Sequence, residues 1–477
     1  MTTSKTASAP TKRASAATAS AVLNPKAAVP ILLFTFVFCL VIDNGFKFMT
    51  KPIGEALGLS PTTASLQATL AGIVIGIGAV VYTALADTIS IRLLMTAGVA
   101  MVAVGSVIGF LGQDVWALVL LGRIVQTCGL AAAETLYVIY VTKYLDAKDQ
   151  KTYLGFSTSA FQMALLVGTL TSGLVATYVS WTAMFIIAFA LIVTIPVLLK
   201  TVPKEQHSAG HVDVLGLFLI AVIATSVMFF MQAFNPLYLL PIVLGVAWFA
   251  YHVGHNPNAV VSGEFFRNGR YVCVLLIVLL VYSVQLGYSA ILLPYMVDSL
   301  HGIKLDGAAY ILAPGYICAV IVGALSGKIG RVLSSRQTIL LGLGMITLAL
   351  VLPAVLINAS VAVLIVSMVI FPSGFALMYA PLVATAVGKI PAAKSGIAIG
   401  FYNLTINIAV PVGIAYSAKL LDIAPSALGR MSNAADQTQQ VASTILWILA
   451  LIVIAGIGFY LATDRVLSRR ESAEVMQ

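Results

Sequence analysis

Residues 28–49 read AVPILLFTFVFCLVIDNGFKFM: twenty-two positions, apolar from end to end except for Asp43, Asn44 and Lys47 near the far end. A run of that length fits the hydrocarbon core of a bilayer. Lipid offers the backbone no hydrogen-bond partners, so the run must be a helix. The same kind of run recurs along the chain, at 64–86, 93–112, 115–142, 152–178, 181–199, 214–233, 237–253, 271–295, 307–327, 337–357, 360–386, 396–420 and 443–462. Only Asn235-Pro236 separates spans seven and eight. Spans four, five and thirteen carry Gly, Ser and Thr that permit close helix–helix approach.

Composition agrees. Of 477 residues, 60% are hydrophobic and 9% charged, with a mean hydropathy of +1.03. Soluble domains carry about 25% charged residues, so a water-soluble enzyme, a nucleic-acid-binding protein and a disordered chain are all excluded. Fourteen spans of ~20 residues leave loops averaging ~13, too short for a separate soluble domain. The predicted fold class is an all-α polytopic membrane protein of fourteen transmembrane helices.

The net charge of +9 resolves by position. Of 26 Lys and Arg, twenty fall in the tails and even-side loops, and four (Lys51, Lys304, Lys419, Arg430) on the other side. Lys47 and Arg123 lie within spans. That asymmetry predicts a multi-pass protein of the cell membrane with both termini cytoplasmic, and no nucleic-acid partner. Residues 1–27, rich in Ala, Ser and Thr, read as a disordered tail. The first apolar run is too long for a cleavable signal, lacks a small-residue cleavage site and contains charges, so it reads as an uncleaved helix.

The four cysteines fall in apolar runs without CxxC spacing, and read as buried free thiols. His207, His211, His252 and His255 are placed in cytoplasmic loops and His301 in an external one; with no supporting carboxylate or thiol, no metal site is expected.

Two stretches resemble each other. Ala84-Leu85-Ala86-Asp87 through Arg92 and Ala324-Leu325-Ser326-Gly327-Lys328 through Arg336 each join two spans by a short basic turn, as a duplicated six-helix bundle would. The predicted organisation is a six-helix bundle (28–199), a cytoplasmic linker (200–213), two extra helices (214–253), a cytoplasmic loop (254–270), a second six-helix bundle (271–462) and a cytoplasmic tail (463–477).

Four ionisable residues lie inside spans, where each costs roughly 2.5–3.5 kcal/mol on insertion scales: Asp43 and Lys47 in span one, Arg123 and Glu134 in span four. Asp43 and Lys47 share a face at i,i+4, either as a self-neutralising pair or as a proton-responsive carboxylate with its modulating cation. Lys47 also has the alternatives of meeting an anionic substrate group or snorkelling outward. Arg123 cannot shed its charge; Asp43 is its expected distant partner and Gln126 its neighbour. Glu134 projects near the Arg123 face and serves either coupling and cation recognition or a local polar clamp. Gln162, Tyr282, Gln285, Tyr288, Tyr379, Asn403 and Asn407 are candidates, with Lys47 and Gln126, for lining a mostly apolar substrate pocket. The chain has no GxxxxGK[ST], HExxH, GxSxG or TVGYG-like motif, which argues against ATP-driven transport, intramembrane catalysis and a channel.

These residues carry a family resemblance. Ala84-Leu85-Ala86-Asp87 to Arg92 resembles the GxLaDrxGrk signature of the major facilitator superfamily, and Arg123-Ile124-Val125-Gln126-Thr127-Cys128-Gly129 its RxxQGxG signature. Gly168-Thr169-Leu170-Thr171-Ser172-Gly173 sits where the antiporter signature GPxxGG belongs, with Thr169 in place of Pro. Ile42-Asp43-Asn44 through Lys51-Pro52-Ile53 resembles LDxTIVNxALPxI of the fourteen-helix drug/proton antiporters. Further stretches at 105–112, 211–217, 293–297 and 393–405 are similar to bacterial tetracycline-efflux transporters. The resemblance implies export of lipophilic, cationic or zwitterionic small molecules in exchange for protons by alternating access. It needs no cofactor beyond the proton gradient, with Na⁺ or K⁺ as alternative coupling ions, and a monomer is expected. By matching positions it makes Asp43 the coupling acid, Arg123 the relay arginine, Asp87 and Arg92 the cytoplasmic gate, and Gly168 and Gly173 the pliant contact of span five. A carrier of an anionic metabolite or lipid-like substrate, and a non-transporting sensor or scaffold, are the competing readings.

Overall fold

The computed structural model describes residues 25–86, 88–203, 213–256, 268–388, 390 and 392–475. It contains fourteen helices long and apolar enough to cross a membrane. They are α1 (Val29–Phe48), α2 (Pro61–Leu85), α3 (Ile91–Leu111), α4 (Trp116–Tyr144), α5 (Ala147–Tyr178), α6 (Ala183–Thr201), α7 (Val214–Ala233), α8 (Leu239–His255), α9 (Gly269–His301), α10 (Leu305–Val332), α11 (Ser335–Val355), α12 (Ala362–Val387), α13 (Ala392–Ile423) and α14 (Gln437–Val475).

Helix starts are set by side chains that satisfy orphan backbone N–H groups. Ser90 caps α3 by accepting from Leu93 N at 3.2 Å. Asp213 caps α7 through Gly216 N at 2.9 Å. Ser334 and Gln337 form a reciprocal capping box at α11. Between α7 and α8 the chain reverses at Phe234, whose φ of 50° is unusual for a bulky residue. Asn235 then accepts from Leu237 N at 3.0 Å to start the next helix.

Packing repeats along the chain. The pairs α1–α5, α2–α4 and α3–α4 of the first half recur as α9–α13, α10–α12 and α11–α12 in the second. The α3–α4 seam is a glycine contact: a Cβ on Gly105 would stand 2.5 Å from Gly122 O, so the two backbones touch, as in other membrane helix pairs. The halves meet along α2–α13 and α5–α10. Helix α7 packs on both α2 and α13, through a small core of Ile73, Ala224, Met228 and Ala415. Helix α8 lies outside it, with Gly245 its buried residue.

Five features differ from the sequence expectation. Residues 50–57 form a short amphipathic helix, Thr50–Leu57, closed by Gly58 at φ 62°. Helix α9 is not a uniform α-helix: Gly287–Leu292 is wound as a π segment, packed on α13 where Gly287 leaves room for Gly413. The residues expected as a terminal tail, from 463 on, continue α14 to Val475. His252 and His255 lie on the last turn of α8, not in a loop, and His252 Nε2 meets Asp213 Oδ1 at 2.8 Å, tying α8 to the start of α7. Of the cysteines, Cys39 is buried, while Cys128, Cys273 and Cys318 are only half-buried.

Candidate functional site

The ionisable residues of α1 and α4 meet in one buried cluster. Asp43, Lys47 and Arg123 are 2%, 8% and 0% exposed. Lys47 Nζ pairs with Asp43 Oδ2, as the i,i+4 spacing dictates. Arg123 Nη2 stands 3.7 Å from the other oxygen, Asp43 Oδ1: an ion pair, but too long for a hydrogen bond. Two amides hold the guanidinium in place. Arg123 Nε donates to Gln67 Oε1 at 3.3 Å, and Arg123 Nη1 donates to Gln126 Oε1. Its Cζ lies 4.0 Å from the ring centroid of Phe46, within cation–π range.

The supports are themselves fixed. Gln126 Nε2 donates to Ser106 Oγ on α3 at 2.8 Å. Gln67 Nε2 donates to Phe46 O at 2.8 Å and to Thr50 Oγ1 at 3.3 Å, where α1 gives way to the short amphipathic helix. One network therefore joins α1, α2, α3 and α4 around a single carboxylate. Charges this deep are tolerated only when paired and hydrogen-bonded. Gln126 was expected to line the pocket; it is wholly buried between Arg123 and Ser106 and serves as a brace. Gln67, Ser106 and Phe46 were not singled out from the sequence. A glutamine within an apolar span was the available signal for Gln67.

Glu134 lies on the same helix as Arg123 and within electrostatic reach of Asp43 and Lys47. Its Oε1 is buried without a hydrogen-bond partner. Gly168 presses α5 onto α1 beside the acid: a Cβ there would stand 2.8 Å from Val41 O and 3.3 Å from the Asn44 Cβ. Gly173, one and a half turns on, presses α5 instead onto α10, where a Cβ would stand 2.8 Å from that of Ala309. The two glycines thus serve different seams, one within the first bundle and one between bundles. Thr169, in place of the antiporter proline, donates its hydroxyl to Leu165 O at 2.8 Å.

The second bundle offers aromatic rings rather than charges. Tyr288, Phe371, Phe375 and Tyr282 form a continuous edge-to-face chain across α9 and α12, with centroids 5.0–5.2 Å apart. Tyr379 meets Tyr402 edge-on at 6.1 Å and donates its hydroxyl to Asn403 Oδ1 at 3.3 Å. Tyr288 was expected on the pocket wall; it is fully buried, its hydroxyl paired with Ser367 Oγ at 2.9 Å. Tyr282 is 4% exposed and sits in the same aromatic core. Gln285, Asn407 and Gln162 are half-buried, and Asn403 is exposed. Arg92 is half-buried in the first turn of α3; Asp87 lies outside the described residues.

At the end away from the termini the bundles are laced together by polar contacts that the sequence did not indicate. Lys51 Nζ pairs with Glu55 and, at 3.0 Å, with Asp298 of α9, and lies over the Tyr295 ring at 5.8 Å. Thr62 N donates to Asp422 Oδ2 at 3.2 Å. The Tyr178 hydroxyl donates to Asp306 Oδ2 at 2.9 Å, and Thr177 to its Oδ1 at 3.3 Å. Burial works against the charge on Lys51, but the carboxylates of Glu55 and Asp298 outweigh it and hold the ammonium above the ordinary lysine value. Towards the termini, Ala380 on α12 and Asn403 on α13 are exposed.

Comparison with known proteins places this arrangement. The family model described as Major Facilitator Superfamily matches residues 31–414. The multidrug resistance protein Stp of Mycobacterium tuberculosis (strain CDC 1551 / Oshkosh) is 22% identical over 355 residues, which is 71% of this chain and 65% of that protein. The Stp of strain ATCC 25618 / H37Rv is 22% identical over 68% of this chain and 62% of its own length. The chain thus spans somewhat under two thirds of the curated relatives it matches. Among solved structures, peptide transporter POT in complex with alafosfalin superposes with a TM-score of 0.68 at 15% identity, covering 92% of this chain and 95% of the other. Nucleoside transporter NupG gives 0.65 at 13%, covering 92% and 100%. At these identities the likeness is one of fold. The fourteen-helix architecture, its repeated packing and the match across most of its length establish that this chain is a multi-pass membrane protein that belongs to the Major Facilitator Superfamily.

Proposed function

We propose that the protein exports lipophilic small molecules, cationic or zwitterionic, in exchange for protons by alternating access across the cell membrane. The observation that carries this reading is Asp43: a carboxylate deep in the bundle, held by Lys47 on one oxygen and by Arg123, at 3.7 Å, on the other. The longer contact is the adjustable one. A proton or a cation at Asp43 Oδ1 releases Arg123, and Arg123 is tied through Gln67 and Gln126 to α2 and back to α1, so loading the acid is felt by helices that form the bundle seam. Such a carboxylate can report its occupancy to a two-state element, which is what coupling requires.

The basic residues mark the end carrying the termini as cytoplasmic. On that assignment the laced end faces outward and is closed by the Lys51–Asp298 and Thr62–Asp422 contacts, so this state would take up cargo from the cytoplasm, as an exporter must. The aromatic rings of α9, α12 and α13 suit an apolar body, and the ionic cluster of α1 and α4 suits a charged group. Lys47 and Arg123 are both engaged with Asp43, which counts against the anion-carrier reading. The relatives named for multidrug resistance support the substrate class.

The deciding experiment is substrate-driven proton flux in proteoliposomes. As substrate leaves the vesicles wild type should acidify the lumen, and Asp43→Asn should abolish that response. An intact response in the variant removes Asp43 from the mechanism, and solute movement indifferent to an imposed pH difference removes proton coupling altogether.

A further inference from the structure

Building on the proton-for-cation reading above, we infer that Lys47 is an internal ammonium with two seats. It occupies Asp43 in this structure, and moves to Glu134 when a monovalent organic cation takes its place at Asp43.

The argument begins with the donor that is missing. Asp43 has Lys47 and Arg123, and Arg123 has Gln67, Gln126 and the Phe46 face. Glu134 Oε1, buried in the same cluster, has none. An ionised oxygen without a donor is expensive in this setting, so the seat calls for a proton or a cation.

Geometry supplies the cation. Phe36 stacks on Tyr137 with centroids 5.0 Å apart, and Phe46 lies against Arg123 at 4.0 Å. Helices α1 and α4 therefore run antiparallel, and Glu134, one turn before Tyr137, sits level with the Phe38–Cys39 step of α1. Lys47 is about two turns away along the axis, ~12 Å at 1.5 Å per residue. Side chains on helices lean towards their own N-termini. On antiparallel helices Lys47 leans up towards Asp43 and Glu134, and Glu134 leans down towards Lys47. A four-carbon stem and a glutamate side chain pointed at one another can close that offset. The titratable groups within reach of the seat are Cys39, Asp43 and Lys47, all from α1; the Tyr137 hydroxyl, one turn along α4, is occupied by Tyr153 O of α5 at 2.8 Å.

Charge bookkeeping then fixes the exchange. With Lys47 on Asp43 and a proton on Glu134, the four residues carry one net positive charge. When an organic cation displaces Lys47, the ammonium moves to Glu134 and the Glu134 proton leaves to water. The four residues are then neutral, and the bound cation restores one positive charge. One proton leaves for each monovalent cation bound, and no charge accumulates in the membrane interior.

The test uses the full chain purified in detergent, with ethidium as the probe, in weakly buffered solution containing a pH dye. Wild type should release about one proton per ethidium bound. Lys47→Met should bind ethidium at least as tightly and release none, because Asp43 is vacant and Glu134 keeps its proton. Glu134→Gln should bind about tenfold more weakly, since the displaced ammonium has nowhere to go. The double variant should recover the affinity of Lys47→Met. That rescue separates the exchange from a simpler one in which Glu134 itself grips the cation. If the double variant stays as weak as Glu134→Gln, if Lys47→Met still releases a proton, or if wild type releases none, the inference is wrong. Should Glu134→Gln fail to elute as a single species, the proton count of Lys47→Met decides alone. Vesicle flux without proton movement would sink the antiport reading and leave the rescue pattern legible. Proton-coupled flux with no rescue would sink only the two-seat lysine.

Discussion

The two six-helix halves share a packing plan and diverge in what they bury. The first places Asp43, Lys47, Arg123, Gln67 and Gln126 in its interior. The second keeps its span-borne charges near helix ends, at Arg270, Asp298, Asp306, Arg336, Lys419, Asp422 and Asp464, and fills its interior with Tyr282, Tyr288, Phe371 and Phe375. On the function proposed above, one half would respond to a proton or a cation and the other would pack against an apolar cargo. Duplicated scaffolds can divide labour this way because helix packing depends on small residues at the seams, and leaves the interior chemistry of each half free to vary.

That division predicts unequal damage. Arg123→Met leaves Gln67 Oε1 and Gln126 Oε1 without a donor and Asp43 Oδ1 without its second cation, while Lys47 still holds Oδ2; each buried polar group left unsatisfied costs about 1–3 kcal/mol. Thermal unfolding in detergent should show the largest single-variant loss of stability for this variant, and adding Asp43→Asn should deepen it, because that change takes the counter-ion from buried Lys47. Phe375→Ala, the central ring of the aromatic chain, opens a cavity costing about 3 kcal/mol but leaves no charge unpaired. It should lower the melting temperature less than Arg123→Met while preserving substrate-driven proton movement. Equal loss of coupling in both variants would dissolve the comparison.

The smallest effect is expected where the halves touch. Lys51→Gln removes the contacts to Asp298 and Glu55 at a half-exposed site, worth at most about 1 kcal/mol. That is enough to shift the open–closed population about fivefold towards the state opened at this end, as read by cysteine labelling of residues near Thr62. Its pH dependence has a definite sign. The Lys51 ammonium titrates above the ordinary lysine value in the closed form, so wherever Glu55 and Asp298 are ionised the latch is fully present below about pH 10.4 and weakens as pH rises through the elevated value. Labelling should therefore stay flat across neutral pH and increase only in alkaline solution.

Much of this was legible in the residues. Apolar runs gave the fourteen spans because a backbone in lipid has no alternative to a helix. Asp43, Lys47 and Arg123 stood out because a charge in a span needs a reason. Their partners were harder to read. Gln126 looked like a pocket residue and proved to be a brace, and Tyr288 looked like a wall and proved to be core, because spacing along one helix does not say which neighbour covers it. Gln67 passed unnoticed although it is an amide in a span like those singled out, because the cation it holds lies on another helix.

What the chain determined alone was the number of crossings and the presence of costly charges within them. What the folded arrangement decided was which of those charges hold one another. Gln67 and Arg123 are fifty-six positions apart, and Thr62 and Asp422 three hundred and sixty. Hydrophobicity is a property each segment carries by itself, whereas an ion pair or a hydrogen bond exists only once two segments have been brought within a few ångströms of each other.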